Sequence, residues 1–184
     1  SLAKKSTPVI VNGKRVTAFP AEMPLQGDNW IMDPQGVSYI FSGKAVLRRS
    51  RQTSYAASTG DQKILGPSSE NDFATAWLDH GKAPQNGSYE YTVLINEPTE
   101  KVQEFARKFK NPKLRPYKVI QKNTQAHIVH DRQTGIRAYA IFEGDFSSSD
   151  SLLLASKTPA LLMCEAKSNQ LLITVCDPVL RFKG

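Results

Sequence analysis

The chain has 184 residues, of which 40% are hydrophobic and 22% charged. That is an ordinary globular composition, long enough to bury a core as one large domain or two small ones, and it excludes a disordered chain. The formal net charge of +7 favours a polyanionic partner such as nucleic acid, anionic lipid or acidic polysaccharide, or else reflects a basic soluble surface. No apolar run approaches the ~18 residues of a membrane span. The opening "SLAKKS" lacks the apolar segment of a signal peptide.

Most of the sequence reads as strands. "PVIVNGKRVT" (Pro8 to Thr17) predicts a hairpin, because Asn12-Gly13 suits a type I′ turn between β-branched residues. "NWIMDPQGVSYIF" (Asn29 to Phe41) predicts a second, turning at Asp33-Pro34-Gln35-Gly36. "KAVLRRSRQ" continues as a strand of alternating exposure. Thr53 to Asp72 is rich in Ser, Gly, Asn and Gln and reads as a long functional or mobile loop. "SYEYTVLIN" (Ser88 to Asn96) reads as a strand.

One helix is expected at about 98–110. In "PTEKVQEFARKFK" the residues Val102, Phe105, Ala106 and Phe109 form a single apolar stripe. Pro98 suits its start, and Arg107, Lys108 and Lys110 suit its last turn. Pro112 and Pro116 end it, and a domain boundary is placed near Leu114, giving domains of 1–114 and 115–184. Beyond it, "YKVIQKNTQAHIVHDRQTGIRAYAIFE" predicts three strands with turns at Asn123-Thr124 and Gln133-Thr134-Gly135. "FSSSDS" (Phe146 to Ser151) reads as a polar loop, and "PALLMCEAKSNQLLITVCDP" as a last hairpin. Its two arms carry Cys164 and Cys176 out of register, so two buried free thiols are expected rather than a disulfide. The fold class is therefore mainly β, antiparallel sandwich modules with one α-helix.

Few residues invite a catalytic reading. Asp79, His80, Tyr89, Glu90 and Tyr91 lie close in sequence and contain groups able to do acid–base work. Asp79 and His80 are neighbours, however, and point to opposite faces in a strand. Tyr89 and Tyr91 share a face, which makes a packing pair, while Trp77 and Leu78 read as core. His127 and His130 fall on opposite faces of a strand and do not converge on a metal. Ser147, Ser148 and Ser149 form a polar loop with no nucleophile motif, and no phosphate or dinucleotide fingerprint is present. No catalytic residue, metal or cofactor is assigned. The basic cluster Arg48, Arg49 and Arg51, with Lys44 and Lys63 around it, is the candidate polyanion contact, since guanidinium forks match sulfate and carboxylate. Nucleic acid is disfavoured, because only Tyr55 is interleaved with these basic residues for stacking.

"AWLDHGKAPQNGSYEYTVL", followed by a helix and "YKVIQKNTQAHIVHD", resembles polysaccharide lyase family 8, the chondroitin and hyaluronan lyases. "VNGKRVT…QGDNWIMDPQGVSYIF" resembles the sheet segment ahead of it, and the likeness is strongest from Val11 to Phe142. The resemblance implies the end of a central β-supersandwich domain over 1–114 and the start of a C-terminal β domain over 115–184. It implies a secreted or periplasmic parent with a helical toroid domain, cleaving glycosaminoglycan by β-elimination at uronic acid. The family's working His, Tyr, Arg and Glu lie upstream of the matching part, and none is placed on this sequence. The expectation is a catalytically silent lyase fragment whose partner, through its parent, is an acidic polysaccharide. The alternatives are a stand-alone carbohydrate-binding or adhesion module, which exposure of Tyr39 or Tyr55 on a sheet face would favour, and a purely structural buttress.

Overall fold

The computed structural model describes residues 6–55 and 68–178, and they form antiparallel β-sheets and one helix. The chain divides into two compact units, 1–110 and 111–184.

In the first unit, β1 (Val9–Val11) and β2 (Lys14–Val16) form the first hairpin. Asn12 and Gly13 both adopt positive φ, 51° and 84°, as a type I′ turn requires. β3 (Ala21–Leu25) follows, then β4 (Asp28–Met32) and β5 (Val37–Ser42). Their turn is closed by the Gly36 N–H donating to the Asp33 carbonyl at 3.1 Å. The Asp33 carboxylate accepts from the Gln35 and Val37 N–H groups. β6 (Ala45–Tyr55) and β7 (Ser68–Leu78) pair along their whole lengths, and β8 (Tyr91–Ile95) joins β5. The strand orders are β2-β1-β4-β5-β8 and β3-β6-β7.

Residue parity explains the layering. Val9, Val11, Ile31 and Phe41 on one face of the five-stranded sheet meet Ala45, Leu47 and Ala74 of the three-stranded sheet. Trp30, Met32 and Ile40 face the other way. The helix α1 (Thr99–Phe109) packs on β4 and β5, burying Val102 and Phe109 and half-burying Phe105 and Ala106. β4 is therefore buried at four consecutive positions, as befits a strand covered on both faces.

Two expectations change here. Thr53–Tyr55 and Ser68–Asp72 are strand, because the β6–β7 ladder continues through them with Thr53 opposite Glu70. Arg51, Thr53, Glu70 and Asn71 are exposed at this end of the hairpin, so it carries no apolar periodicity to read. Residues 56–67, which include Lys63, lie outside the described residues. β3 was not foreseen either; its Pro24 sits in an edge strand, where a missing donor is tolerated.

Arg49 is the largest fully buried side chain of this unit. Alternation along β6 turns it inward with Ala45 and Leu47. Its Nη1 donates to the carbonyls of Val16 (2.7 Å) and Ala18 (3.2 Å), and its Nη2 to that of Thr7 (2.6 Å). One guanidinium thus ties the chain entering β1 to the chain leaving β2.

The second unit is nearly a meander. β9 (Tyr117–Lys122), β10 (Ala126–Asp131) and β11 (Arg137–Ile141) are followed by the short pair β12 (Phe146–Ser147) and β13 (Ala155–Ser156). β14 (Ala160–Lys167) and β15 (Gln170–Cys176) complete the order β15-β14-β11-β10-β9. The expected turns are present: the Asn123 carboxamide oxygen accepts from the Gln125 and Ala126 N–H groups, and the Asp131 carboxylate from Gln133 N–H and the Thr134 hydroxyl. Arg132 Nη1 donates to the carbonyls of Pro112, Lys113 and Arg115, which ties the segment after the helix to this unit.

The core of the second unit is Ala126, Ile128, Tyr139, Ile141, Phe146 and Cys164. Cys164 is buried but Cys176 is exposed, so only one thiol is internal; both are free. The polar loop after β12 is anchored by Asp150. Its carboxylate accepts a short hydrogen bond from the Tyr139 hydroxyl, and Arg137 Nε stands 3.4 Å away at ion-pair distance without hydrogen-bond alignment. Burial pushes the Asp150 carboxyl up, but the Tyr139 hydroxyl, the Leu152 and Ser151 N–H groups and Arg137 outweigh it and hold it below the ordinary value. Burial and the Asp150 charge push the Tyr139 phenol up.

Two predictions follow from these buried groups. Arg49→Met leaves three carbonyls without their donor and is expected to lower the stability of the first unit by about 3 kcal/mol in urea unfolding. Arg49→Lys is expected to fall between, and an unchanged midpoint for Arg49→Met would show that the clamp is idle. Asp150 has a lowered folded pKa, so its contribution is full above the unfolded carboxylate value of about 4 and is lost as pH falls through the folded one. Asp150→Asn is therefore expected to flatten the acid-side fall in stability of the second unit. Some slope remains, because the Gln133 N–H and neighbouring groups also hold Asp131 low. Matching pH profiles for the two proteins would count against the Asp150 anchor.

Candidate functional site

The stretch Phe73 to Asn96 contains most of the chemistry-bearing residues of the first unit. It comprises the second half of β7, a turn-rich loop and β8. The Asp79 N–H donates to the Lys44 carbonyl at 2.8 Å, fixing the end of β7 against the start of β6. The Asp79 carboxylate accepts from Gly81 N–H at 2.9 Å, so it serves the turn. Ala83 and Asn86 take positive φ, 48° and 55°, and fold the loop back on itself. The His80 and Tyr89 rings then meet with centroids 6.1 Å apart, tilted by 44°. Tyr89 and Tyr91 stack at 6.1 Å and 20°.

These rings are wall rather than core. The strand begins at Tyr91, not Ser88, and Tyr89 and Tyr91 are exposed. Trp77, read as core from the sequence, is 37% exposed, because it stands opposite Val46 on the face of the three-stranded sheet turned away from the core. Leu78 packs against the core as expected. The register Phe41–Tyr91 and Tyr39–Val93 places β8 beyond the cover of the three-stranded sheet. Tyr91, Val93 and Ile95 are left exposed. A cavity of about 410 Å³ opens there, with Phe41, Ala45 and Leu78 at its floor and Tyr39, Trp77, His80, Tyr89 and Tyr91 around it. From the sequence Trp77 reads as core, and Tyr39 stands only as an aromatic whose exposure would favour carbohydrate binding, not as a neighbour of the Asp79 to Tyr91 stretch. Tyr39 has the parity of Phe41, but only the β5–β8 register reveals that its face is uncovered.

The three candidate arginines are not one cluster. Arg49 is buried and its terminal nitrogens are taken by backbone carbonyls, so it cannot meet a surface ligand as expected; strand alternation is the physical reason. Arg48 is exposed, pairs with Glu22 at 2.7 Å and lies 5.0 Å over the Trp77 ring. Arg51 is exposed and pairs with Glu70 at 3.0 Å. Lys44 is exposed; the Tyr55 side chain lies outside the described residues.

In the second unit, His127 stands opposite Ala140 and packs edge-on against Phe142 at 5.0 Å, while His130 stands opposite Arg137. The two imidazoles lie on different faces. Among the described residues, no three His, Cys, Asp or Glu side chains gather as a metal site. Ser148 accepts the Asp150 N–H at 2.8 Å, a local loop bond. Among the described residues, no helix is long and apolar enough to cross a membrane.

Comparison with known proteins accounts for this arrangement of domains. Residues 2–106 match the super-sandwich domain of polysaccharide lyase family 8, and residues 118–179 match the C-terminal beta-sandwich domain of the same family. A chondroitin sulfate ABC exolyase of Proteus vulgaris is 32% identical over 171 residues, 92% of this chain but 16% of the relative. The chondroitin sulfate ABC endolyase of the same organism is 30% identical over 91% of the chain and 16% of its own length. The chain thus spans about one sixth of these relatives. Among solved structures, a Paenibacillus xanthan lyase superposes with a TM-score of 0.73 at 22% identity, covering 95% of this chain and 17% of the other. A chondroitinase AC lyase gives 0.64 at 19% identity, over 95% of this chain and 25% of its own. These two likenesses speak for the fold. Two consecutive domains matched in order along one chain make this protein a member of polysaccharide lyase family 8.

Proposed function

We propose that this chain supplies the C-terminal β portion of a glycosaminoglycan lyase of chondroitin sulfate or hyaluronan type, and that the chemistry is performed by residues outside it. The observation that carries the reading is the ordered match to both family domains, together with about 30% identity to two chondroitin sulfate ABC lyases. The parent would act outside the cytoplasm, in the medium or the periplasm, with a helical toroid domain as the partner of these β units. The reaction removes the C5 proton of a uronic acid and breaks the bond from C4 to the glycosidic oxygen. That oxygen leaves with a proton, and a C4=C5 double bond remains.

The contacts within Asp79 to Tyr91 support a silent role for this chain. Asp79 caps a turn, and His80 and Tyr89 meet ring to ring. What the first unit offers a polyanion is Arg48 and Arg51. Their exposed pairs with Glu22 and Glu70 are worth about 0–1 kcal/mol each, so a sulfate or carboxylate can exchange with the glutamate at little cost. Such contacts weaken with salt. A second reading, a stand-alone carbohydrate-binding module, is favoured by the exposure of Tyr39 on a sheet face.

The chain incubated with chondroitin sulfate is expected to give no rise in the ultraviolet absorbance of unsaturated uronate. Calorimetry is expected to show binding that fades as salt is raised. Arg48→Gln with Arg51→Gln should weaken it by about tenfold, as expected for two exposed charge contacts. A rise in absorbance would move catalysis onto this chain. Binding indifferent to both salt and the double variant would remove the arginines from the contact.

A further inference from the structure

The cavity between β7 and β8 has a chemistry different from that of the two arginine pairs. Its walls are aromatic, with Tyr39 and Trp77 each 37% exposed, Tyr91 52% and Tyr89 60%. Its floor is apolar, formed by Phe41, Ala45 and Leu78. Tyr89 and Tyr91 stack with centroids 6.1 Å apart and planes 20° from parallel. On the outer face of the three-stranded sheet, beyond the groove's lining, the Arg48 guanidinium lies over Trp77.

An aromatic face is electron-rich and attracts weakly positive C–H groups, and tyrosine adds a hydroxyl able to bond at the edge. A pyranose has this pair of properties, with one face of axial C–H bonds and a rim of hydroxyls. An apolar floor under such a wall suits an acetamido methyl. The residues that line the groove include no Asp, Glu, Lys or Arg. The groove is therefore not a general anion site. It is a ring-lined pocket with a cation against its Trp77 wall, and a volume of about 410 Å³ lies within the usual range for a small-molecule site.

Resting on the lyase reading above, we infer that this groove is a saccharide subsite that stacks an N-acetylated hexosamine of the acidic polysaccharide. Arg48 faces the carboxylate of the adjoining uronate, exchanging it for Glu22. In the unsulfated polymer a neutral acetylated sugar alternates with a charged one, which matches a neutral ring-lined pocket beside a guanidinium. The site holds the chain of the polymer and does not touch the scissile bond.

The chain has two tryptophans, and only Trp77 lines the groove; Trp30 is 5% exposed. Titration with an unsulfated chondroitin hexasaccharide in about 1 M salt, where screening reduces charge contacts to ~3 Å, is expected to shift and saturate the tryptophan emission. Trp77→Phe should abolish that signal. Tyr91→Ala should weaken calorimetric binding by about tenfold. Tyr89→Ala, a change outside any strand, should do the same if Tyr91→Ala does not fold by circular dichroism. A silent Trp77, or both tyrosine variants binding like the parent, would overturn the subsite. Salt-sensitive binding of chondroitin sulfate would then still stand, and with it the lyase reading. Sedimentation showing a dimer that Trp77→Ser dissolves, with no response to the sugar, would also overturn it by giving the groove to a second copy of the chain.

Discussion

Double burial of β4, and of β5 at Ile40 and Phe41, is the constraint from which the first unit follows. A strand covered on one face can alternate apolar and polar residues. One covered on both faces cannot, and Trp30-Ile31-Met32 runs apolar without interruption. Ile31 and Phe41 then require a sheet on one side, while Trp30 and Ile40 require something on the other, which the stripe of α1 supplies. Moving β4 by one residue would exchange these two sets, so register is firmly specified. The cover is unequal, however. The three-stranded sheet is narrower than the five-stranded one, and β8 carries the inner face past its edge. The groove is the place where one layer ends before the other.

Each unit also holds a buried charged group, handled in a different way. Arg49 donates to carbonyl dipoles at three backbone positions. Asp150 has a phenol, backbone N–H groups and a guanidinium around it. In both cases the charge holds segments that lack regular structure: the chain around Thr7 and Ala18, and the loop between β12 and β13. Where a segment cannot bury much apolar area, a few directional bonds to one buried group fix its path.

Much of the fold was legible because turns and periodicity are local. Asn12-Gly13, the Asp33 turn, the α1 stripe and the turns at Asn123 and Gly135 each declare themselves within a few residues. What failed was non-local. The outer half of the β6–β7 hairpin is solvated, so its strand character comes from pairing rather than pattern. The inward turn of Arg49 follows from alternation in β6, but three arginines within four residues read more readily as a surface cluster. Trp77 reads as core beside Leu78 in the sequence; its side of the sheet depends on its pairing with Val46. The groove needs the β5–β8 register, which joins residues far apart in the chain.

The two sheet orders carry a further consequence, for the time course of folding. In the second unit, β9, β10 and β11 pair with their sequence neighbours, as do β14 and β15, so closure proceeds through short loops. In the first, β5 must wait for β8, with the whole β6–β7 hairpin between them. Ordering a long intervening chain before contacts reward it slows formation, so the first unit is the slower to complete although it leaves the ribosome first. Both tryptophans, Trp30 and Trp77, belong to it, and intrinsic fluorescence therefore follows the slower half alone.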